Sequence, residues 1–471
     1  MWALHPPTTF EKVDQTFKLL NCFCAKSIIL IIYLIIKLKC NILCNNKNTL
    51  LLLFQDSIIK KNGVFTDKNS KRERGIKMDK NNGAIYDARK LGKPKMIILG
   101  IQHMFAMFGA TILVPIITGL DISTTLLMAG LGTLLFHCIT KFKVPAFLGS
   151  SFAFLGGYAA IKALAPGDPN SMLPYACLGV ACAGLVYFIL AAIIKAVGIE
   201  KVMRFFPPVV TGPIIIAIGL GLAPSAVSNC TTNWLLAVVA LAVIVIFNIW
   251  GKGMAKIIPI ILGLLISYGV GLVLYFISQA NPDLIQNVPW LFSGGADANG
   301  VYQPIFDFTS VNTICDNIAK GNIFGSEGLI GIPIHWEKTV FGGIDYSNTA
   351  LIASSIIAIV PIAFATMMEH IGDICAISST TGNNYIQDPG LHRTLTGDGL
   401  ATTVASLFGG PANTTYGENT GVLALTKVYD PRVIRIAAFF AVGVSFSRLY
   451  LQLSVQFQAV LSAVFHSYFT V

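Results

Sequence analysis

The chain has 471 residues, of which 54% are hydrophobic and only 12% charged, with 43 glycines, 21 prolines and a mean hydropathy of +0.69. So few charges cannot cover that much apolar surface in water, which excludes a soluble globular domain. The net charge of +10 (33 Lys+Arg against 23 Asp+Glu) comes with no basic groove, zinc-finger spacing or stacking motif, so no nucleic-acid partner is expected and the excess is assigned to membrane loops.

Residues 1–77 differ from the rest: they are rich in Lys, Asn and Ile, and their apolar run Ser27 to Ile36 is too short to cross a bilayer. No small-residue cleavage site follows that run, so it does not read as a secretory signal. Lys71 to Lys77 can be encoded by purine-rich codons like those of a bacterial ribosome-binding site, directly before Met78. The segment is therefore expected to be translated upstream sequence, with an interfacial anchor as the functional alternative.

From residue 96 onward, apolar stretches long enough for a ~30 Å hydrocarbon core recur. They fall near 96–119, 122–139, 174–194, 207–228, 232–250, 256–278, 349–372, 394–409 and 431–450. Two weaker crossings, near 145–161 and 411–425, are interrupted by Gly, Pro, Ser and Thr. With the segment before Met96 inside, Lys141, Lys143, Lys195, Lys201, Arg204, Lys252, Lys256, Lys427, Arg432 and Arg435 all fall on the cytoplasmic side. This works only if both weak segments cross, giving about eleven crossings. The long 279–348 loop, with seven acidic residues and two lysines, then lies outside.

The six cysteines beyond Met78 lie mostly in apolar stretches, and Cys22, Cys24, Cys40 and Cys44 match no strong zinc pattern. Neither disulfides nor a metal is expected. No metal-ligand cluster, nucleophile motif or phosphate loop occurs, so the chain reads as neither an enzyme nor a cofactor protein.

Glu369 and Glu418 are carboxylates inside otherwise membrane-buried sequence, where a charge costs a few kcal/mol or more and usually faces a partner, substrate or watery cavity. In Met368-Glu369-His370-Ile371-Gly372-Asp373, Glu369 and Asp373 are four apart and share a helix face at the inner end of their span. Gly149-Ser150-Ser151-Phe152-Ala153-Phe154 follows Pro145, and Asn413 to Asn419 follows Pro411, with the same grammar of proline, small residues and an aromatic. Non-helical backbone at membrane depth survives only inside protein or along a cavity, and two such breaks at corresponding places point to a transporter's binding site.

These residues carry a family resemblance over about 85–446. Gln102 to Thr111, Gly149 to Phe154, Glu369-His370-Ile371-Gly372, Asp388 to Arg393 and Asn413 to Asn419 resemble the uracil permeases of the nucleobase/ascorbate (xanthine/uracil) transporter family. The family signature is met by Glu418-Asn419-Thr420-Gly421 with Thr426-Lys427. The resemblance implies an all-α polytopic membrane protein of fourteen spans in two inverted repeats of seven, with the two interrupted crossings meeting as short strands between a core and a gate domain. It further implies proton-coupled import of uracil across the bacterial plasma membrane, with the bilayer and a homodimer as partners. Carried over by motif, Glu369 and Glu418 hold the base edge, amides near Ser151, Phe152 and Gly417 assist, and Phe152 and Tyr416 flank the ring. Gln102, His103, Thr415 and Asn419 support the site. Burial disfavours a carboxylate's charged form, so Glu369 or Asp373 is expected to carry the coupled proton.

Two departures qualify these expectations. Asp373 stands where uracil permeases of the family often have His, which leaves xanthine or another nucleobase as the alternative, although Glu418 rather than Gln leans toward uracil. Resemblance stops near Phe446, and Gln456 to Ser467 can be encoded by DNA that in another frame reads like the family's next span. A frameshifted tail is expected, together with most of a binding pocket but a gate missing its second half and impaired transport. An anion transporter of similar fold is a rival, but its centre should carry basic residues rather than acidic ones. A non-transporting nucleobase sensor is another.

Overall fold

Proline, glycine and capping side chains set where the membrane helices start, stop and break. The computed structural model describes residues 84–165, 167–198, 201, 220, 230, 233–252, 259–297, 299–320 and 329–450. The expected span near 207–228 apart from Leu220, the 1–77 segment and all but the first four residues of the 447–471 tail lie outside the described residues.

Helix α1 (Lys93–Thr118) starts on Pro94, whose missing N–H is not needed there, and ends at Gly119 in the left-handed conformation (φ 85°). Asp121 caps α2 (Ile122–Ile139) by accepting from the Thr124 amide. After a loop comes the short strand β1 (Leu148–Ser150), a 3-10 turn over Phe152–Phe154 and the half-length helix α3 (Leu155–Lys162). Helix α4 (Leu173–Val197) closes this first unit. Helices α5 (Trp234–Trp250) and α6 (Pro259–Ala280) follow, then a region with a two-stranded ribbon, Ser293–Ala296 against Tyr302–Pro304.

The second unit repeats the order of the first. Helices α7 (Thr349–Ile359) and α8 (Ala363–Thr381) form one span joined by a 3-10 turn at Val360–Ile362, where Pro361 lacks the donor that a continuous helix needs. Helix α9 (Leu391–Leu407), strand β2 (Asn413–Thr415), half-helix α10 (Gly417–Thr426) and α11 (Pro431–Ser445) complete it. Asp430 caps α11 by accepting from the Arg432 amide, with Pro431 at the first helical position.

The packing obeys the same correspondence. Helix α4 of the first unit packs on α9 of the second, and α2 of the first packs on α11 of the second. Glycines permit both close approaches. A Cβ on Gly184 would lie 2.4 Å from Thr403 Oγ1 and 2.8 Å from the Gly399 carbonyl oxygen, and one on Gly130 would lie 2.7 Å from the Ala438 carbonyl oxygen. Between the units β1 and β2 pair antiparallel, in the register Leu148 with Thr415, Gly149 with Thr414 and Ser150 with Asn413. Two like units meeting head to head through antiparallel strands form an inverted repeat.

Among the described residues, five helices are long and apolar enough to span a bilayer: Lys93–Thr118, Ile122–Ile139, Pro169–Val197, Leu262–Ala280 and Thr349–Thr381. Their outer faces stay apolar: Ile189 is 61% exposed, Ile357 73% and Phe439 63%, as suits surface in contact with lipid. The basic loops gather at one end of the bundle, where Lys143 pairs with Asp388, Arg393 donates to the Ile139 carbonyl and Arg435 lies 5.1 Å over the Phe142 ring.

One expectation is corrected. The span beginning at Thr349 runs to Thr381 rather than ending near Gly372, so Glu369 lies towards its middle and not at its inner end. Helical sequence continues past Gly372, and the true stop is the left-handed Gly382 (φ 72°).

Candidate functional site

Each strand runs directly into the N-terminus of a half-helix, so two helix starts open at the strand pair. Ser151 follows β1 and its hydroxyl accepts from the Ala153 amide, turning the chain into the 3-10 turn that carries Phe152. Tyr416 follows β2, and Gly417 and Glu418 form the first turn of α10. Amides in a first helical turn have no partner within their own helix and carry partial positive charge, so both starts suit an acceptor oxygen of a ligand.

The strands are short, and side chains hold them in the membrane. The Thr133 hydroxyl accepts from the Leu148 amide at 2.9 Å, Asn413 Nδ2 donates to the Met128 carbonyl at 2.8 Å, and the Thr402 hydroxyl donates to the Asn413 carbonyl. The Tyr416 hydroxyl crosses β1 to donate to the Ser150 carbonyl at 2.8 Å. Its ring lies so close to Gly149 that a Cβ there would come within 2.2 Å of it. These bonds satisfy backbone groups that lipid could not.

Helix α8 supplies the acids. Glu369 and Asp373 stand one turn apart, both half-buried, and Glu418 and Asp398 are within electrostatic reach of both. The Thr415 hydroxyl lies 3.0 Å from Asp373 Oδ2 and 3.3 Å from His370 Nδ1. His370 Nδ1 is also 3.4 Å from Asp398 Oδ1, both side chains being fully buried, and Thr414 donates to Asp398 Oδ2 at 3.3 Å. His370 is thus a fully buried member of a polar network with Thr415 and Asp398.

The remaining candidates converge from α1 and α10. His103 lies within reach of Asn419 where these helices pack together. Gln102, His103, Ser150, Glu369 and Asn419 each have buried polar atoms without a hydrogen-bond partner in the protein: both amide atoms of Gln102 and Asn419, Nδ1 of His103, Oγ of Ser150 and Oε2 of Glu369. Buried polar groups are rarely left so, and several in one region suit a polar ligand. Phe152 and Tyr416 are 9% and 6% exposed and belong to one apolar cluster, whereas Gly417 is exposed.

Asp398 escaped the sequence reading. It sits in the segment expected as the 394–409 span, where a lone carboxylate flanked by Gly397 and Gly399 was the available signal. Thr133 and Thr402, which help to hold the strands, were likewise legible only as small polar residues, because a hydroxyl's partner cannot be read from its own sequence neighbourhood.

The sequence matches the model of the Permease family (Xan_ur_permease) over residues 94–470. This chain is a member of the Permease family. It is 38% identical over 359 residues to the uracil permease of Bacillus caldolyticus, covering 74% of this chain and 71% of that one. It is 37% identical over 368 residues to the probable uracil permease of Haemophilus influenzae, covering 76% and 75%. With the uracil permease of Bacillus subtilis it shares 37% over 363 residues, covering 74% and 71%. Among solved structures, the transmembrane domain of a cyanobacterium bicarbonate transporter, BicA, superposes with a TM-score of 0.51 at 13% identity, over 80% of this chain and 90% of that domain. That likeness concerns the fold alone. The permease is a multi-pass membrane transporter with the architecture of a transporter transmembrane domain.

Proposed function

We propose that this permease carries uracil inward across a bacterial plasma membrane together with a proton. The observation that supports this most is the grouping of Glu369 and Glu418 with two half-helix starts at a strand pair, beside buried polar atoms of Gln102 and Asn419 that have no protein partner. Uracil is planar and uncharged, with two N–H donors and two carbonyl acceptors. Carboxylates opposite N–H and first-turn amides near Ser151, Phe152 and Gly417 opposite C=O satisfy it without a net ligand charge. Phe152 and Tyr416 offer ring faces above and below. The names of the relatives at 37 to 38% identity point to the same base.

Proton coupling rests on Glu369 and Asp373. Both are half-buried acids near further carboxylates, a setting in which one proton relieves mutual repulsion. A homodimer in the inner membrane is the expected state.

Radiolabelled uracil uptake, with xanthine and uridine as competitors and with the proton gradient intact or collapsed, tests the reading. Uracil alone should saturate the carrier, collapse of the gradient should abolish accumulation, and Glu369→Gln with Glu418→Gln should abolish binding. Unaltered uracil occupancy in the double amide variant would remove the basis of the assignment.

A further inference from the structure

At the end of the bundle where the basic loops gather, α2, α4 and α9 frame a cleft of about 310 Å³ whose lining includes no residue of the strand pair. Lys195 of α4 and His392 and Arg393 of α9 supply its polar wall, with Thr396 beneath them and Phe188 and Ala192 forming an apolar wall. Among the described residues no carboxylate lines it. His392, Arg393 and Lys195 are within electrostatic reach of one another, so the cleft concentrates positive charge. One of the five N–H donors of Arg393 is spent on the Ile139 carbonyl at 3.4 Å, which orients the guanidinium at the cleft.

We infer that this cleft binds the phosphate headgroup of an anionic phospholipid of the cytoplasmic leaflet. A phosphate bearing negative charge is what a planar guanidinium and an ammonium recognise together. The source is a lipid because the apolar wall of the cleft continues into an exposed apolar stripe on α4. Leu185, Ile189 and Ile193 recur every four residues along α4 and are 50%, 61% and 45% exposed, so they form a continuous apolar stripe beside Phe188 and Ala192. An acyl chain lies along that stripe while its phosphate meets Lys195 and Arg393. Basic pockets between spans on the cytoplasmic side bind acidic headgroups in this way. The helices tied together are α4 and α9, one from each repeat, so the lipid braces the contact between the repeats.

The test uses the full chain purified in mild detergent, with bound lipid read by native mass spectrometry after titration with phosphatidylglycerol or phosphatidylcholine. Phosphatidylglycerol should bind more tightly, and each lost charge, in Lys195→Gln or Arg393→Gln, should weaken it about fivefold. Lys195→Arg should retain it. Arg393 also bonds the α2 carbonyl, so if its variant fails to fold, Lys195→Gln at its exposed position decides the matter against Lys195→Arg. Equal binding of the two lipids, unaltered phosphatidylglycerol binding in Lys195→Gln, or complete displacement by inorganic phosphate would overturn the inference.

Discussion

Thr415 Oγ1 donates to Asp373 Oδ2 at 3.0 Å, joining the end of β2 to the acidic face of α8. The bond links the interrupted crossing to the helix that carries Glu369. Replacing Thr415 by Val keeps the shape but removes the donor, leaving a half-buried carboxylate short of a partner. The expected cost is ~1–3 kcal/mol. Thermal unfolding of the purified carrier should show it, with Thr415→Ser restoring stability and uptake.

Gly149 is a steric requirement. A Cβ there would lie 2.2 Å from Tyr416 Cε2 and 3.0 Å from Thr111 Oγ1, so Gly149→Ala must displace a buried ring whose hydroxyl holds the Ser150 carbonyl. Overpacking of this kind costs ~1–3 kcal/mol, and uptake should fall sharply. Gly156→Ala, with nothing within 4 Å, is the control and should leave both unchanged.

Asp398 is expected to be structural as well as near the site. Its partners His370 and Thr414 are buried with it, and leaving buried polar groups of this kind without a partner costs about 1–3 kcal/mol each. Asp398→Leu should therefore give little folded protein, measured as the monodisperse fraction on size exclusion. Asp398→Asn, which keeps an acceptor for Thr414, should recover a folded carrier.

Lys143 and Asp388 meet at 2.6 Å, but with side chains 44% and 68% exposed. Water screens that attraction, so Lys143→Ala should change stability by less than ~1 kcal/mol. A larger loss in thermal unfolding would show that the pair does more than bridge two loops.

The segment before α1 docks through the Ile85 amide to the Lys427 carbonyl at 2.8 Å and through Asp87 to Arg432 at 3.1 Å. The Arg89 guanidinium, by hydrogen bonding, is the main group holding the Asp87 carboxyl down, to about 2. A depressed carboxyl contributes fully above its unfolded value near ~4 and loses that contribution as the pH falls through about 2. The protection factor of the Ile85 amide should stay level from neutral pH to about 4 and drop only below that.

Much of the fold was legible in the chain. Apolar runs of bilayer length marked most of the spans, because that signal depends on each residue's own preference for lipid or water. The expected 122–139 span matches α2 at both ends, and the breaks after Pro145 and Pro411 became the two strands. Glu369 and Glu418 stood out for the same reason, since a carboxylate in apolar sequence is conspicuous wherever the chain later goes.

What the sequence could not decide was pairing. That Thr415 lies opposite Leu148, that Gly184 meets Gly399, and that His370 contacts Asp398 all depend on contacts between residues distant along the chain. The extent of the Thr349–Thr381 span was also settled in three dimensions, because Gly372 is tolerated within packed helix and only Gly382 takes the left-handed turn that ends it. Solvent preference belongs to single residues and can be read one at a time. Register and hydrogen-bond partnership belong to pairs, and exist only once the two repeats have packed.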